Sequence, residues 1–364
     1  MAAPPPYSES KGSVNAAYQG NQPGMQLDPL ALSKFQNTSN YSIKQGNIWG
    51  EAITCGCCAN RYMVSDNDRL TQVAGREGKS DYQVPTPLFL MEEESSLCCR
   101  VCCNGNQPIN VRYFHANPQV MMGNMVCGCC YSGHVYTKDL RNPATVMTLE
   151  RPGCCDKWLC GACCICSDKC QSEGYMHLGE PVGGEVGRRF QDPTARVFSS
   201  QKVPPAGGGG CTPTLNIYEG MPEARGRPEG DGFVGVLEGP CIFGGCLQLC
   251  TDTLYPISSK PGKAGDIGMF KKVRPDSCFK LLCQSTTDVD EYALTVQPGL
   301  SPMQKANLLG AAVHTDYLYF EADSPPCMVY GDSNGGVIVI TLFTCYFRGC
   351  LTPICICIPY GSDN

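Results

Sequence analysis

The stretch Ser301–Pro326, SPMQKANLLGAAVHTDYLYFEADSPP, decides how this chain folds. Ser301 suits an N-cap, Pro302 suits the first helical position, and Gln304 completes the spacing of a capping box. Pro325 and Pro326 stop the helix. The pattern predicts a helix over 302–322, a rod of roughly 30 Å that is long enough either to cross a bilayer or to thread a barrel. Its polar groups separate the two. Lys305, Asn307, His314 and Asp316 are spread along the segment, and one charge at a bilayer centre costs about 3 kcal/mol. Leu308, Leu309, Ala311, Ala312, Val313, Tyr317, Leu318 and Phe320 leave most faces apolar. Such a helix belongs inside a protein core.

Upstream, between about residue 50 and residue 300, short apolar or alternating runs are separated by Gly, Pro, Asn and Asp: PLFLM, INVRYF, VYTKDL, ATVMTLE, TPTLNIYE, FVGVLEG, CLQLC, DIGMFKKV and EYALTV. This spacing predicts many short antiparallel strands, as a barrel or a sandwich. VPPAGGGG, 203–210, reads as a loop insertion. Downstream, GGVIVITLFTCYFRGCLTPICICIP holds a β-branched run, Val337 to Leu342, that is too short to span a bilayer and is followed by Arg348 and Pro353. A final strand is expected there, with an interfacial segment as the alternative.

Residues 1–48 are rich in Pro, Gln, Asn, Gly and Ser and read as a flexible arm. Within it Pro4, Pro5 and Tyr7 make a P-P-x-Y motif, which WW-type or SH3-type domains can dock as a preformed polyproline helix. The organisation expected is this arm, a β unit over 49–323 and an apolar tail over 324–364. The first thirty residues lack a basic segment followed by an apolar run, so no secretory signal is read. A reducing cytosol then makes 28 cysteines in 364 residues a poor disulfide framework. The net charge of -6, without a Lys/Arg cluster, argues against a nucleic-acid surface.

The thiols cluster at Cys98, Cys99, Cys102 and Cys103 and again from Cys154 to Cys170. The C-x-x-C steps Cys99–Cys102 and Cys160–Cys163 suit zinc, whereas the adjacent pairs are irregular for one tetrahedral site. Zinc ligation or structural burial is the reading of the first cluster. Zinc, burial and lipid attachment all remain open for the second. No nucleophile elbow, phosphate loop or dinucleotide fingerprint is present, and the 4 histidines are far apart in sequence. Enzymatic chemistry is not expected.

Several segments, in order, resemble the phospholipid scramblase family: EEESSLCCRVCCNGNQPINVRYF, TLERPGCCDKWLCGACC, CTPTLNIYE, LEGPC, TDVDEYALTVQPGL and QKANLLGAAVHTDYLYFE. The resemblance covers roughly residues 85–323. It implies a tubby-like fold, a twelve-stranded antiparallel closed β-barrel around a C-terminal hydrophobic helix that carries Lys305, Leu309, Val313, Asp316 and Phe320. It also implies calcium-stimulated, ATP-independent, bidirectional movement of phospholipids between leaflets. By resemblance, palmitate falls on Cys154, Cys155, Cys160, Cys163, Cys164 and Cys166; two or more acyl chains anchor stably where one does not. Asp288, Asp290 and Glu291 match the family's calcium segment. Ala293 and Gly299 stand where an EF-hand needs glycine and glutamate, so any affinity is expected to be weak, roughly 10⁻⁴ to 10⁻³ M. A solvated turn is the alternative reading of that segment. The place implied is the cytoplasmic face of a membrane, the plasma membrane above all, with phospholipids as partners and oligomerisation left open. The alternative function is an acyl-anchored peripheral lipid-binding or adaptor protein without transport activity.

Overall fold

Side chains that alternate between apolar and polar fold here as the period of an antiparallel sheet requires. The computed structural model describes residues 27–45, 60–73, 82–94, 109–120, 135–151, 173–180, 196–200, 212–219, 232–263, 265–274, 290–320, 327–332, 335–347 and 350–361. In chain order the elements are helix α1 (Pro29–Asn37) and strands β1 (Asn40–Gln45), β2 (Arg61–Val73), β3 (Tyr82–Glu93), β4 (Ile109–Val120), β5 (Val135–Lys138), β6 (Thr145–Arg151), β7 (Glu173–Leu178), β8 (Arg196–Ser200), β9 (Thr214–Tyr218), β10 (Phe233–Glu238) and β11 (Ile242–Phe243). A 3₁₀ turn (Gly245–Leu249) leads to β12 (Thr253–Ser258), β13 (Gly268–Lys272) and β14 (Glu291–Val296). Helix α2 (Pro302–Thr315) follows, then a π-helical turn (Asp316–Phe320), β15 (Cys327–Asp332), β16 (Gly335–Phe347) and β17 (Cys350–Tyr360).

The molecule is mostly β, with one long helix and one large antiparallel sheet. The large sheet runs β3-β2-β1-β14-β13-β12-β10-β9-β8-β7-β6-β4-β5, and β3 also pairs β4 from Phe89 opposite His115 to Glu93 opposite Val111. A smaller sheet joins β11, β16 and β15, with β17 along the whole of β16.

Helix α2 sits against the inner face of the large sheet. Its start is set by the capping box read in the sequence: Ser301 Oγ accepts from Gln304 N at 3.2 Å, and Gln304 Oε1 accepts from Ser301 N at 3.0 Å. Every residue from Lys305 to Thr315 is buried. Leu308, Leu309, Ala311, Ala312 and Val313 share one core cluster with Tyr41, Tyr62, Val111, Leu149, Met176, Ile217, Leu237, Phe270 and Leu294 from strands around the sheet. The α-helical hydrogen bonding ends at Thr315 rather than at 322, and the π-helical turn carries the chain to Phe320.

Packing against β7 is close. A Cβ at Gly174 would stand 2.8 Å from Nδ1 of the buried His314 ring. Gly174→Ala is therefore expected to destabilise the fold by about 2 kcal/mol through overpacking. Urea denaturation checks this, and a variant as stable as the parent would contradict the close approach.

Three expectations need correction. Residues 27–45 are not a flexible arm: Leu27, Ala31, Phe35, Tyr41 and Ile43 are buried, and β1 pairs both β2 and β14. Asp28 caps α1 through Oδ1, with Leu30 N and Ala31 N each at 3.0 Å. CLQLC falls largely on the 3₁₀ turn, not on a strand. The tail over 324–364 supplies three strands where one was expected. The 203–210 insertion lies outside the described residues.

Candidate functional site

Polar groups sealed inside the core concentrate at the C-terminal end of α2. Along β14 and the residue before it, the side chains of Asp290, Tyr292, Leu294 and Val296 fall on one side and are buried, while Glu291 stands on the other and pairs with Lys44 at 3.1 Å. Tyr62 Oη on β2 donates to Asp316 Oδ2 at 2.7 Å. Tyr292 Oη contacts Asp290 Oδ2 at 2.8 Å and also Asp316 Oδ1. Lys272 Nζ on β13 closes the chain at 2.6 Å from Asp290 Oδ2 and lies 4.4 Å from the centre of the Phe320 ring.

One phenolic hydroxyl has one proton, so Tyr292 cannot donate to both carboxylates. The charge pattern assigns the protons. Asp290 faces the Lys272 ammonium and accepts from Tyr292; below its raised pKa Asp316 carries a proton that it directs to Tyr292 Oη. Burial, followed by the nearby Asp290 charge, raises the Asp316 pKa to about 7 against the opposing pull of Tyr292, Tyr62 and Lys272. Burial likewise raises Tyr292, with both carboxylates adding to the effect. The result is a proton-sharing clamp between the helix end and strands β2, β13 and β14.

A second set of bonds holds the π-helical turn. Arg151 Nη1 donates to the Tyr317 carbonyl at 3.0 Å, and Tyr317 Oη donates to Glu93 Oε2 at 3.1 Å. At the other end of α2, Lys305 Nζ reaches the last carbonyls of α1, 3.3 Å from Gln36 O and 2.8 Å from Thr38 O. Burial holds the Lys305 ammonium below its ordinary pKa. A third cluster pins α1 to the sheet. Lys34 Nζ donates to Leu88 O at 2.7 Å and stands 3.1 Å from His115 Nδ1, whose Nε2 faces Asp28 at 3.2 Å. Burial lowers Lys34 to about 8, with Asp139 and Asp28 opposing.

No protein-family model matches this chain, and no solved structure matches it.

The structure places the expected residues unevenly. Lys305, Leu309, Val313, Asp316 and Phe320 all lie in the core. Asp290 and Glu291, two of the three expected calcium ligands, point to opposite sides of β14, and each has a lysine partner. As placed they do not fit one ion. Among the described residues no group of three His, Cys, Asp or Glu side chains converges to hold a metal. Asp288, the zinc candidates Cys98, Cys99, Cys102 and Cys103, the acylation candidates Cys154, Cys155, Cys160, Cys163, Cys164 and Cys166, and Pro4, Pro5 and Tyr7 lie outside the described residues. Sequence reasoning did not single out Tyr62, Tyr292, Lys272, Glu93 or Arg151. The period-two phase of 290–296 carries the signal for Tyr292, because it puts that residue on the side of Asp290 and opposite Glu291.

Proposed function

We propose that the chain is a phospholipid scramblase-like protein held on a bilayer by acylated cysteines, and that its barrel is a scaffold along whose outside lipids exchange. The observation that carries this reading is the complete burial of α2 from Lys305 to Thr315. A helix wrapped in sheet does not enter hydrocarbon, and among the described residues no helix is long and apolar enough to cross a membrane. Membrane attachment then falls to thioester-linked chains on the cysteines from Cys154 to Cys166. Among the described residues the interior is filled by α2 and the core packed on it, so lipid movement is assigned to the outer surface. We also infer that the large sheet closes as a twelve-stranded barrel. The pairing of β3 with both β2 and β4 supports closure. Backbone amides of 89–93 and 111–115 should then exchange with solvent as slowly as those of β2, and fast exchange there would leave the sheet open.

A second reading, the acyl-anchored adaptor without transport, is favoured by the ion pair between Lys272 and Asp290, which occupies a carboxylate that calcium stimulation would use. Reconstitution separates the two. Acylated protein in liposomes with a fluorescent phospholipid is exposed to an external quencher, with and without calcium. Loss of nearly all the fluorescence is expected for a scramblase; loss of only half in both conditions assigns the adaptor role. Hydroxylamine treatment of the membrane-purified protein is expected to liberate thioester-linked fatty acid; protein that yields none would remove the acyl anchor.

A further inference from the structure

The β15–β17 sheet carries an apolar plane that the core does not use. Side chains directly opposite in an antiparallel pair share a face, so Ile358 lies beside Ile338, Ile356 beside Ile340, and Ile354 beside Phe343. Val329 extends the row on the far side of Ile338. The bulge after Thr341 keeps this phase through the length of β16. The opposite face of β16 holds the buried Thr341, Thr344 and Tyr346, and the Tyr346 ring packs edge-on against Tyr319 at 5.9 Å. On β16 the isoleucine face is the one turned away from the core, and β17 beside it is exposed on both faces, Cys355 and Cys357 included; on the isoleucine face Val329 is 64% exposed, Ile356 47% and Tyr360 40%. Neither β16 nor β17 contains a charged residue.

We propose that this outward face seats on the boundary between headgroups and hydrocarbon of a lipid bilayer. The inference rests on the reading above only in taking a bilayer as the chain's partner. Three observations select lipid over a second copy of the chain. At about 3.3 Å per residue and 4.8 Å between strands, the plane offers on the order of 450 Å². That falls short of the roughly 800 Å² per partner of a stable protein interface. Next, Pro353 and Pro359 stand six positions apart on β17, hence on the same edge, and a proline in a paired strand turns its nitrogen away from the ladder. The outer edge thus lacks two donors and resists a further strand. Last, a face without charge or hydrogen-bonding groups in its middle complements hydrocarbon and gives a protein partner no polar rim to read.

The absence of charge dictates the binding behaviour. Attachment should be indifferent to anionic lipid and to salt, unlike a polybasic surface. The test uses the full chain stripped of acyl groups by hydroxylamine and floated with phosphatidylcholine vesicles. The parent is expected to float, equally with and without phosphatidylserine or high salt. The I354T/I356T/I358T variant, which keeps β-branched side chains at exposed positions, is expected to bind about tenfold more weakly or worse. Equal flotation of the two proteins, or parent binding that needs phosphatidylserine, overturns the proposal. So does a dimer in sedimentation that the variant converts to monomer while neither protein floats, because the face then belongs to a second copy. A further variant, Ile356→Trp, gives a reading independent of stability: its added emission is expected to be quenched by brominated acyl chains, and absence of quenching also overturns the proposal. Flotation reports docking and the leaflet assay reports transport, so each idea can fail while the other stands.

Discussion

Substituting alanine for Lys305 is expected to lower the unfolding free energy by about 3 kcal/mol. The ammonium donates to the carbonyls of Gln36 and Thr38 where α1 ends, and the Thr38 carbonyl also accepts from Tyr41 Oη at 3.2 Å. A helix terminus buried without donors is costly, and Lys305 is wholly buried there. Truncation removes the donor and the aliphatic stem together. Lys305→Met restores the stem but not the hydrogen bonds, so its loss should be intermediate, about 2 kcal/mol. Urea denaturation of the three proteins with a common m-value measures both steps. A loss below about 1 kcal/mol for the alanine variant would show that α1 does not depend on this contact.

The second large effect is a pH dependence centred on Asp316. Its folded pKa, raised to about 7, lies above the unfolded value near 3.9. Between these two values the folded state holds a proton that the unfolded state has released, so stability falls as pH rises from about 4 to 7. The contribution is fully present below pH 4 and fully lost above the folded pKa. A displacement of about three units bounds it at about 4 kcal/mol. Asp316→Asn keeps a donor toward Tyr292 Oη, as the protonated acid does, and cannot ionise. The variant is expected to flatten the slope across pH 4 to 7 while matching the parent near pH 4. Identical slopes in the two proteins would mean that Asp316 is ionised throughout and that the proton assignment in the clamp is wrong.

Much of the architecture is legible in the sequence because it rests on local signals. Ser301, Pro302 and Gln304 fix where α2 begins, since each satisfies or lacks a specific backbone donor. The alternating runs LFLM, INVRYF, TVMTLE, TLNIY and EYALTV all fall on strands. The errors arise where composition outweighed position. Asp28-Pro29 is a cap followed by proline at the first helical position, the same signature as Ser301-Pro302, but it sits in a Pro- and Gln-rich context that reads as an arm. β2 was missed because its middle, SDNDR, is polar and its ladder with β3 is irregular between Asp66 and Leu70. The clamp was legible only in part. Strand phase shows that Asp290 and Glu291 diverge, but nothing in the chain before folding brings Tyr62 within reach of Asp316, 254 positions away. The acidic run DVDE therefore reads as a hard-cation site until the lysines that answer it, Lys44 and Lys272, are in place.

The late position of α2 also governs how the protein is made. Tyr41 on β1 pairs with Asp66 on β2 and with Leu294 on β14, so one of the two neighbours of the first described strand is remote in sequence. The helix that fills the interior emerges later still, through Phe320. At about 5 to 20 residues per second, a ribosome needs roughly 15 to 60 s between Tyr41 and Phe320. Throughout that interval the nascent strands have inward faces with nothing to cover them. Closing of this core therefore depends on contacts of large sequence separation, a topology that folds slowly.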